Sequence, residues 1–298
     1  MNNIELFHDT QARIESDQRL RIATIDAIKA TSVFPENTYA QQIPFFENPS
    51  ITFEENLTLI PAEKLAESGK KAAVLNFANP VEPGGGVLRG ASAQEEYLCR
   101  ASNLYNCLIS QNALAYYQKN RELLRINRFK DVFWGSDEVV YSPNITFFRK
   151  DEGYIPDMEC TPCQVYTETW HTIDVLTCAA PYLYKKNNSV PMQNLESCMK
   201  QRIRNILEVA ISNDIQALVL GAFGCGAFNN PPTVVANAFQ SVFLEDRYRN
   251  AFSDVIFSIK RTGFFCENIE AFEIAFSQFP PTGNYVFSCE RNKRRFFT

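Results

Sequence analysis

Two stretches of this chain share one layout: an apolar run, a glycine-rich loop, then a segment with helical periodicity. The first apolar run is Ala72–Phe77. It leads through Pro83 and the consecutive glycines Gly84, Gly85 and Gly86 to Gln94-Glu95-Glu96. The second, Ile215–Gly221, leads through a loop with Gly224 and Gly226 to Pro231, Pro232 and the apolar Val234–Phe243. Short continuous apolar runs that alternate with helical patterns predict an α/β fold built on buried strands. In a doubly wound sheet, loops at the carboxyl ends of neighbouring strands open onto one crevice, so the two loops are expected to share a site.

Each loop has chemistry of its own. A run of three glycines is costly to order, and chains use it where backbone approaches a ligand closely or takes positive φ. Two adjacent carboxylates beside such a loop, Glu95 and Glu96, are candidates for acid/base work. They also suit the first turn of a helix, where the macrodipole favours negative charge. The second loop fits the strand–loop–helix arrangement that presents backbone N–H groups to a phosphate, and equally a plain structural turn. It has no lysine and no Gly-Lys-Ser/Thr, which excludes a P-loop. Asn229 stands where a dinucleotide fingerprint needs its third glycine.

Composition narrows the rest. At 298 residues the chain can be one large domain with an ample core. A net charge of -5 does not suit a general nucleic-acid binder. Only 2 histidines, His8 and His171, make a histidine metal centre or a Ser-His-Asp triad a poor expectation. The 9 cysteines are an odd number, and Cys178 and Cys225 fall in apolar runs. With no apolar leader in Met1–Phe7 and no run long enough to span a bilayer, the expectation is a reduced, cytoplasmic protein that avoids membranes. Cys160-Thr-Pro-Cys163 has no second pair and reads as two loop thiols.

Periodicity predicts a helix over Thr10–Val33, capped by Asp9 or Thr10 and ended by Pro35. Further helices are expected over Pro61–Ser68, Gln94–Ser110, Asn112–Ile126, Met192–Asn213 and Asn268–Phe279. Glu138–Tyr141 and Ile145–Phe148 read as two extended pieces joined by a Ser142-Pro143-Asn144 turn, closed by the charged Arg149–Gly153. Thr172–Ala180 and Asp254–Ile259 read as strands, and the basic Arg291–Arg295 as solvated.

The three glycines, short spacer and Gln94-Glu95-Glu96 resemble the signature of the poly(ADP-ribose) glycohydrolases. The continuation Tyr97-Leu98-Cys99-Arg100-Ala101-Ser102, then Leu104-Tyr105, is similar to the microbial branch of that family. So are Tyr141-Ser142-Pro143 with the later Phe148-Arg149, and Gly224-Cys225-Gly226-Ala227-Phe228. The resemblance implies a three-layer α/β/α macrodomain-like sandwich with a mixed central sheet and an N-terminal helical accessory region. It implies one domain over 1–298, with the accessory region at 1–69 and the macrodomain core at 70–280.

The activity it implies is hydrolysis of the ribose–ribose O-glycosidic bonds of poly(ADP-ribose). Glu96 would be the general acid/base, and Glu95 would orient a ribose hydroxyl of the leaving unit. Substrate-binding positions would be Asn76, Asn79, Gly84, Gly85, Gly86, Gln94 and the loop residues Ala222, Phe223, Gly224, Cys225, Gly226, Ala227 and Phe228. That loop would hold the diphosphate, with Phe228 against the distal ribose. The implied partners are poly(ADP-ribose) or ADP-ribosylated macromolecules, with ADP-ribose as product and with no metal or other cofactor. Two positions depart from the pattern. Asn76 stands where some members carry an aspartate, and Glu82 where many microbial members carry an asparagine. A mono-ADP-ribosyl hydrolase would use the same pocket, and a non-catalytic ADP-ribose reader would generally lack Gln-Glu-Glu.

Overall fold

The computed structural model describes residues 1–127, 131–151, 164–185, 189–260, 267–277 and 286–290. In chain order the elements are α1 (Asn3–Ser16), α2 (Gln18–Ala30), β1 (Ser32–Phe34), β2 (Ser50–Glu54), α3 (Leu59–Glu67), β3 (Ala72–Phe77), α4 (Gln94–Ala101), α5 (Leu104–Leu108), α6 (Leu114–Asn127), β4 (Val132–Phe133), β5 (Val139–Asp151), β6 (Gln164–Cys178), β7 (Tyr182–Leu183), α7 (Met192–Ser212), β8 (Ala217–Leu220), α8 (Pro232–Phe243), β9 (Asp254–Ser258), α9 (Glu267–Ser277) and β10 (Val286–Glu290).

Eight strands form one sheet in the order β1-β5-β6-β3-β8-β9-β2-β10, and β4 pairs with β7 separately. From β6 to β10 every neighbour is parallel, while β5 and β1 add an antiparallel edge. Side chains alternate across the sheet. Ala73, Leu75, Leu218 and Leu220 face a core completed by α7, α8 and α9. Ala72, Val74, Ala217 and Val219 face the other core, filled from α3, α4, α5 and α6. Strands buried on both faces explain the continuous apolar runs in the sequence. The three-layer sandwich with a mixed sheet is what was expected. The segment before residue 70 does more than pack on it, since β1 and β2 are strands of the sheet itself.

Several local expectations change. The helix expected over Thr10–Val33 is two helices. Asp17 is extended (φ -89, ψ 117), and its carboxylate accepts from the N–H groups of Arg19 and Leu20, so it starts α2. Asn2, not Asp9 or Thr10, caps α1, through a capping box with Glu5. Gln94–Ser110 is likewise interrupted. Ser102 is extended and bridges to Phe147, while the Asn103 side chain accepts from the Thr146 N–H at 2.9 Å. Pairing with β5 thus overrides helical periodicity at that point.

Ser142-Pro143-Asn144 is a bulge inside one continuous strand, with Asn144 at φ 54. Its backbone N–H donates to Asp174 at 2.8 Å, which replaces a ladder bond. Arg149 is buried rather than part of a charged turn. It pairs with Asp9, donates to the Thr10 hydroxyl at 2.9 Å and lies over the Tyr166 ring. β6 also starts at Gln164, well before the expected Thr172. Cys160, Cys163 and Arg291–Arg295 lie outside the described residues. No helix among the described residues is long and apolar enough to cross a membrane.

Helix α1 reaches the loop that follows β3. Asn3 donates to the Gly90 carbonyl at 3.0 Å, and the Phe7 ring meets the Tyr105 ring edge-on at 4.9 Å. Tyr105 in turn packs on Gly84, leaving no room there for a Cβ.

Candidate active site

The carboxyl ends of the parallel strands converge on a cavity of about 430 Å³. β3 contributes Phe77 and Asn79, β6 Ala180, β8 the Ala222–Phe228 loop, β9 Ser258–Lys260, and β2 Asn56–Thr58. Gln94, Glu95, Glu96 and Tyr97 enter from the first turn of α4. Both glycine-rich loops therefore serve one crevice, as the doubly wound layout predicts.

Gln94 fastens α4 to β3. Its side-chain oxygen accepts from the Phe77 N–H at 2.9 Å, and its amide donates to the Leu75 carbonyl at 2.9 Å. That side-chain amide stands in for the next strand's ladder bonds and aims the following two residues at the cavity. Both carboxylates are buried in the helix's first turn, so the helix-start reading and the site reading describe the same geometry.

The two glutamates are held differently. Glu95 is engaged at both oxygens. Oε2 accepts from the Asn79 backbone N–H at 2.6 Å, and Oε1 faces the Asn76 side-chain amide at 3.5 Å. Burial pushes its carboxyl well above the ordinary range, with the neighbouring Glu96 charge adding to the effect, against the hydrogen bonds from Asn79, Asn76 and Gly84. Glu96 is engaged at one oxygen only. Oε1 accepts from the Gly86 N–H at 2.8 Å, while Oε2 is buried without a hydrogen-bond partner. A carboxyl with one oxygen anchored and the other unpartnered can hold position while moving a proton.

The triple glycine acts on the carboxylates rather than on the cavity wall. Gly84, Gly85 and Gly86 do not line the cavity; they stand behind the glutamates. Gly84 and Gly85 have φ of 69 and 58, which other residues rarely adopt. Asn79 caps this segment, its side-chain oxygen accepting from the N–H groups of Val81 and Glu82. Asn76 is also out of the cavity lining. Fully buried, it bridges toward Glu95 and donates to Thr177 at 3.2 Å, so the amide in place of a carboxylate serves to position. Glu82 pairs with Arg89 at the surface, and its carbonyl accepts from the Gly85 N–H.

The loop after β8 leaves several backbone amides undonated at the cavity. Gly224 has φ 77 and its carbonyl accepts from both the backbone and the side chain of Asn230. Asn230 also donates to the Pro181 carbonyl at 2.7 Å, tying the loop to the end of β6. Among the described residues the N–H groups of Gly224, Gly226, Ala227 and Phe228 donate no hydrogen bond. Unpaired amides beside a cavity, just ahead of α8 with Pro232 at its start, are an arrangement able to accept an anion. Phe228 is half-buried and packs on Tyr182 at 4.9 Å, so it belongs to the cavity wall. Cys225 does not line the cavity, and burial pushes its thiol up to about 12.

Lining residues that sequence reasoning missed include Phe77, Ala180, Ser258, Ile259, Lys260 and Asn268. Only the strand order brings them here, and no local motif marks them. Among the described residues one grouping has the ligands for a metal ion: Glu63, Glu67 and His171, with donor atoms within 4.8 Å of one another. None of the three lines the cavity.

The crevice at the strand ends, two carboxylates in one helix turn and a loop of undonated amides facing them are the layout of a macrodomain-type site. The chain belongs to the family of microbial-type poly(ADP-ribose) glycohydrolase catalytic domains, whose model matches residues 2–150. Among solved structures it is similar to poly(ADP-ribose) glycohydrolase from Thermomonospora curvata, at 26% identity and TM-score 0.76 over 92% of this chain and 99% of that one. The same enzyme bound to the inhibitor ADP-HPD gives 27% identity and TM-score 0.76 over the same shares. The enzyme from Deinococcus radiodurans in complex with ADP-ribose is 28% identical, with TM-score 0.71 over 85% of this chain and 96% of that one. No curated protein sequence matches significantly.

Proposed function

We propose that this chain hydrolyses the ribose–ribose O-glycosidic bonds of poly(ADP-ribose) and releases ADP-ribose, with Glu96 as general acid and base. The observation that carries the assignment of Glu96 is its asymmetry: Oε1 anchored on Gly86, Oε2 unpartnered, in a cavity that also holds an anion cradle. Protonated Glu96 gives its proton to the leaving ribose oxygen as the bond from the anomeric carbon breaks. The oxocarbenium-like centre then takes up water, whose proton passes to the Glu96 carboxylate. The leaving chain keeps a hydroxyl and the product is ADP-ribose, so the charge and proton count close.

Glu95 holds a ribose hydroxyl of the leaving unit, and its elevated affinity for a proton suits it to donate as well as accept. The amides of Gly224, Gly226, Ala227 and Phe228 hold the diphosphate, with Phe228 pressing the distal ribose toward the glutamates. Among the described residues no histidine or cysteine lines the cavity, which disfavours a zinc-type centre there. The chain works as one domain in a reducing, cytoplasmic setting. The free thiols of Cys99, Cys107, Cys178, Cys198 and Cys225 support that placement.

The test is incubation with automodified polymerase, resolving free ADP-ribose, shortened polymer and protein-linked mono-ADP-ribose. Free ADP-ribose with residual protein-linked mono-ADP-ribose is expected, and exhaustive chelation leaves the rate unchanged. Loss of the protein-linked mono-ADP-ribose instead identifies a mono-ADP-ribosyl hydrolase. Activity that falls with chelation and returns with magnesium overturns the metal-free mechanism.

A further inference from the structure

The cavity of about 430 Å³ is the size of a pocket for one small-molecule ligand. On the reading above it takes the terminal unit of the polymer, so the next unit lies outside it. The bond cut is at Glu96, and the outgoing chain passes the elements beside that residue. One of them is the segment from Asn79 to Gly86. Asn79 lines the cavity, while Val81 and Glu82, whose N–H groups its side chain holds, line an open groove on the flank of α6. Cavity and groove are thus joined across a single capped turn.

Charge in the groove is unbalanced in one place. Arg89 pairs with Glu82, and Arg125 is engaged at two nitrogens by Glu122. Arg121 lines the groove, is exposed, and donates only its Nε–H, to the Val81 carbonyl at 2.9 Å. That bond orients the guanidinium, and among the described residues Arg121 forms no ion pair. A fixed planar fork with its terminal N–H groups open fits a phosphate oxygen pair.

We propose that the groove of Val81, Glu82, Leu124 and Arg121 is a second subsite, in which Arg121 binds the diphosphate of the unit adjacent to the one removed. This rests on the polymer reading of the cavity. The subsite makes the enzyme favour chains over a lone terminal unit, and it steadies the leaving group without touching the bond that breaks.

The experiment compares steady-state hydrolysis of size-fractionated poly(ADP-ribose) with binding of free ADP-ribose, for the wild type, Arg121→Ala and Arg121→Lys. For Arg121→Ala, KM on polymer rises about two- to fivefold, as for one exposed charge contact, and the slope of log KM against log salt falls by about 0.7. Its Kd for ADP-ribose stays at the wild-type value. Arg121→Lys recovers part of the lost affinity, because the charge remains. A polymer KM and salt slope unchanged in Arg121→Ala overturn the subsite. So does an equal loss of ADP-ribose affinity, or a lysine variant as poor as alanine, since either traces the effect to the Val81 tie. If the wild type itself releases no ADP-ribose from polymer, the polymer reading fails first, and the subsite with it.

Discussion

A Cβ at Gly85 would stand 2.5 Å from Oε1 of Glu96. The same residue has φ 58, so the position excludes other side chains twice over, by space and by backbone. Gly85→Ala is expected to push the Glu96 carboxylate off the Gly86 N–H. Turnover on polymer then falls at least about tenfold for a loss near 1.4 kcal/mol at the carboxylate. Stability drops by about 1–2 kcal/mol from the strained backbone. Turnover and melting curves on one preparation check this; near wild-type turnover would remove the glycine from the catalytic arrangement.

Glu96→Gln keeps the shape and the acceptor for Gly86 but cannot give or take the proton. General acid/base assistance contributes about 10²–10⁴-fold, and here one residue serves both steps. The loss of turnover on polymer should reach the upper part of that range, while ADP-ribose binding measured by calorimetry persists. Wild-type turnover in this variant would assign the chemistry elsewhere.

The Glu95 carboxyl has a raised folded pKa, so it holds its proton at pH values where the unfolded chain has lost it. Its favourable contribution is complete below the unfolded pKa and declines as pH rises towards the folded value. Glu95→Gln removes that penalty. Its melting temperature relative to wild type should therefore rise from pH 5 to pH 8, while turnover falls because the leaving ribose is misplaced. A difference in melting temperature that is flat with pH would contradict the direction assigned to Glu95.

ADP-ribose should raise the melting temperature of the wild type, by about 2.7 kcal/mol of stability at a concentration 100 times Kd. Gly224→Ala should abolish most of that shift. A Cβ there would meet Ala180 and lie 2.6 Å from Asn230 Nδ2, and φ 77 is adverse to alanine. The unliganded variant's own melting curve separates misfolding from lost binding. A full shift in a folded Gly224→Ala sample would show that the loop is not the phosphate cradle.

What was legible in the sequence was whatever the backbone itself demands. Gly84–Gly86 and Gly224 announce positive φ and close approach, and the runs at Ala72–Phe77 and Ile215–Gly221 announce strands buried on both faces. What was not legible depends on distant partners. Ser102 leaves its helix because Phe147 and Thr146 pair there. Asn144 bulges because Asp174 takes its N–H. Arg149 is buried because Asp9 and Thr10 come from α1 to meet it. At the site, Gly84–Gly86 were expected to touch substrate alongside Gly224 and Gly226; they stand against the carboxylates, outside the cavity lining that Gly224 and Gly226 share. Ile259 and Lys260 reach the cavity through the neighbouring positions of β8 and β9, which no local pattern encodes.

Helix α1 has a consequence for the order of assembly. Asn3 and Gly90 are far apart in sequence, as are Phe7 and Tyr105, and these contacts brace the loop that holds Glu96. Contacts of such separation are made at the cost of closing a long loop, which is recovered only once the intervening elements have docked. The central strands close loops at least as long, pairing Ala73 with Asp174 and Ala72 with Ala217, so the active-site loop should gain protection together with them and not ahead of them. Pulse-labelled hydrogen exchange can date the two events, and protection of Gly86 well ahead of β3 would refute this. A chain lacking its first helix would lose the brace that places one proton and, with it, the partners of the buried Arg149 on β5.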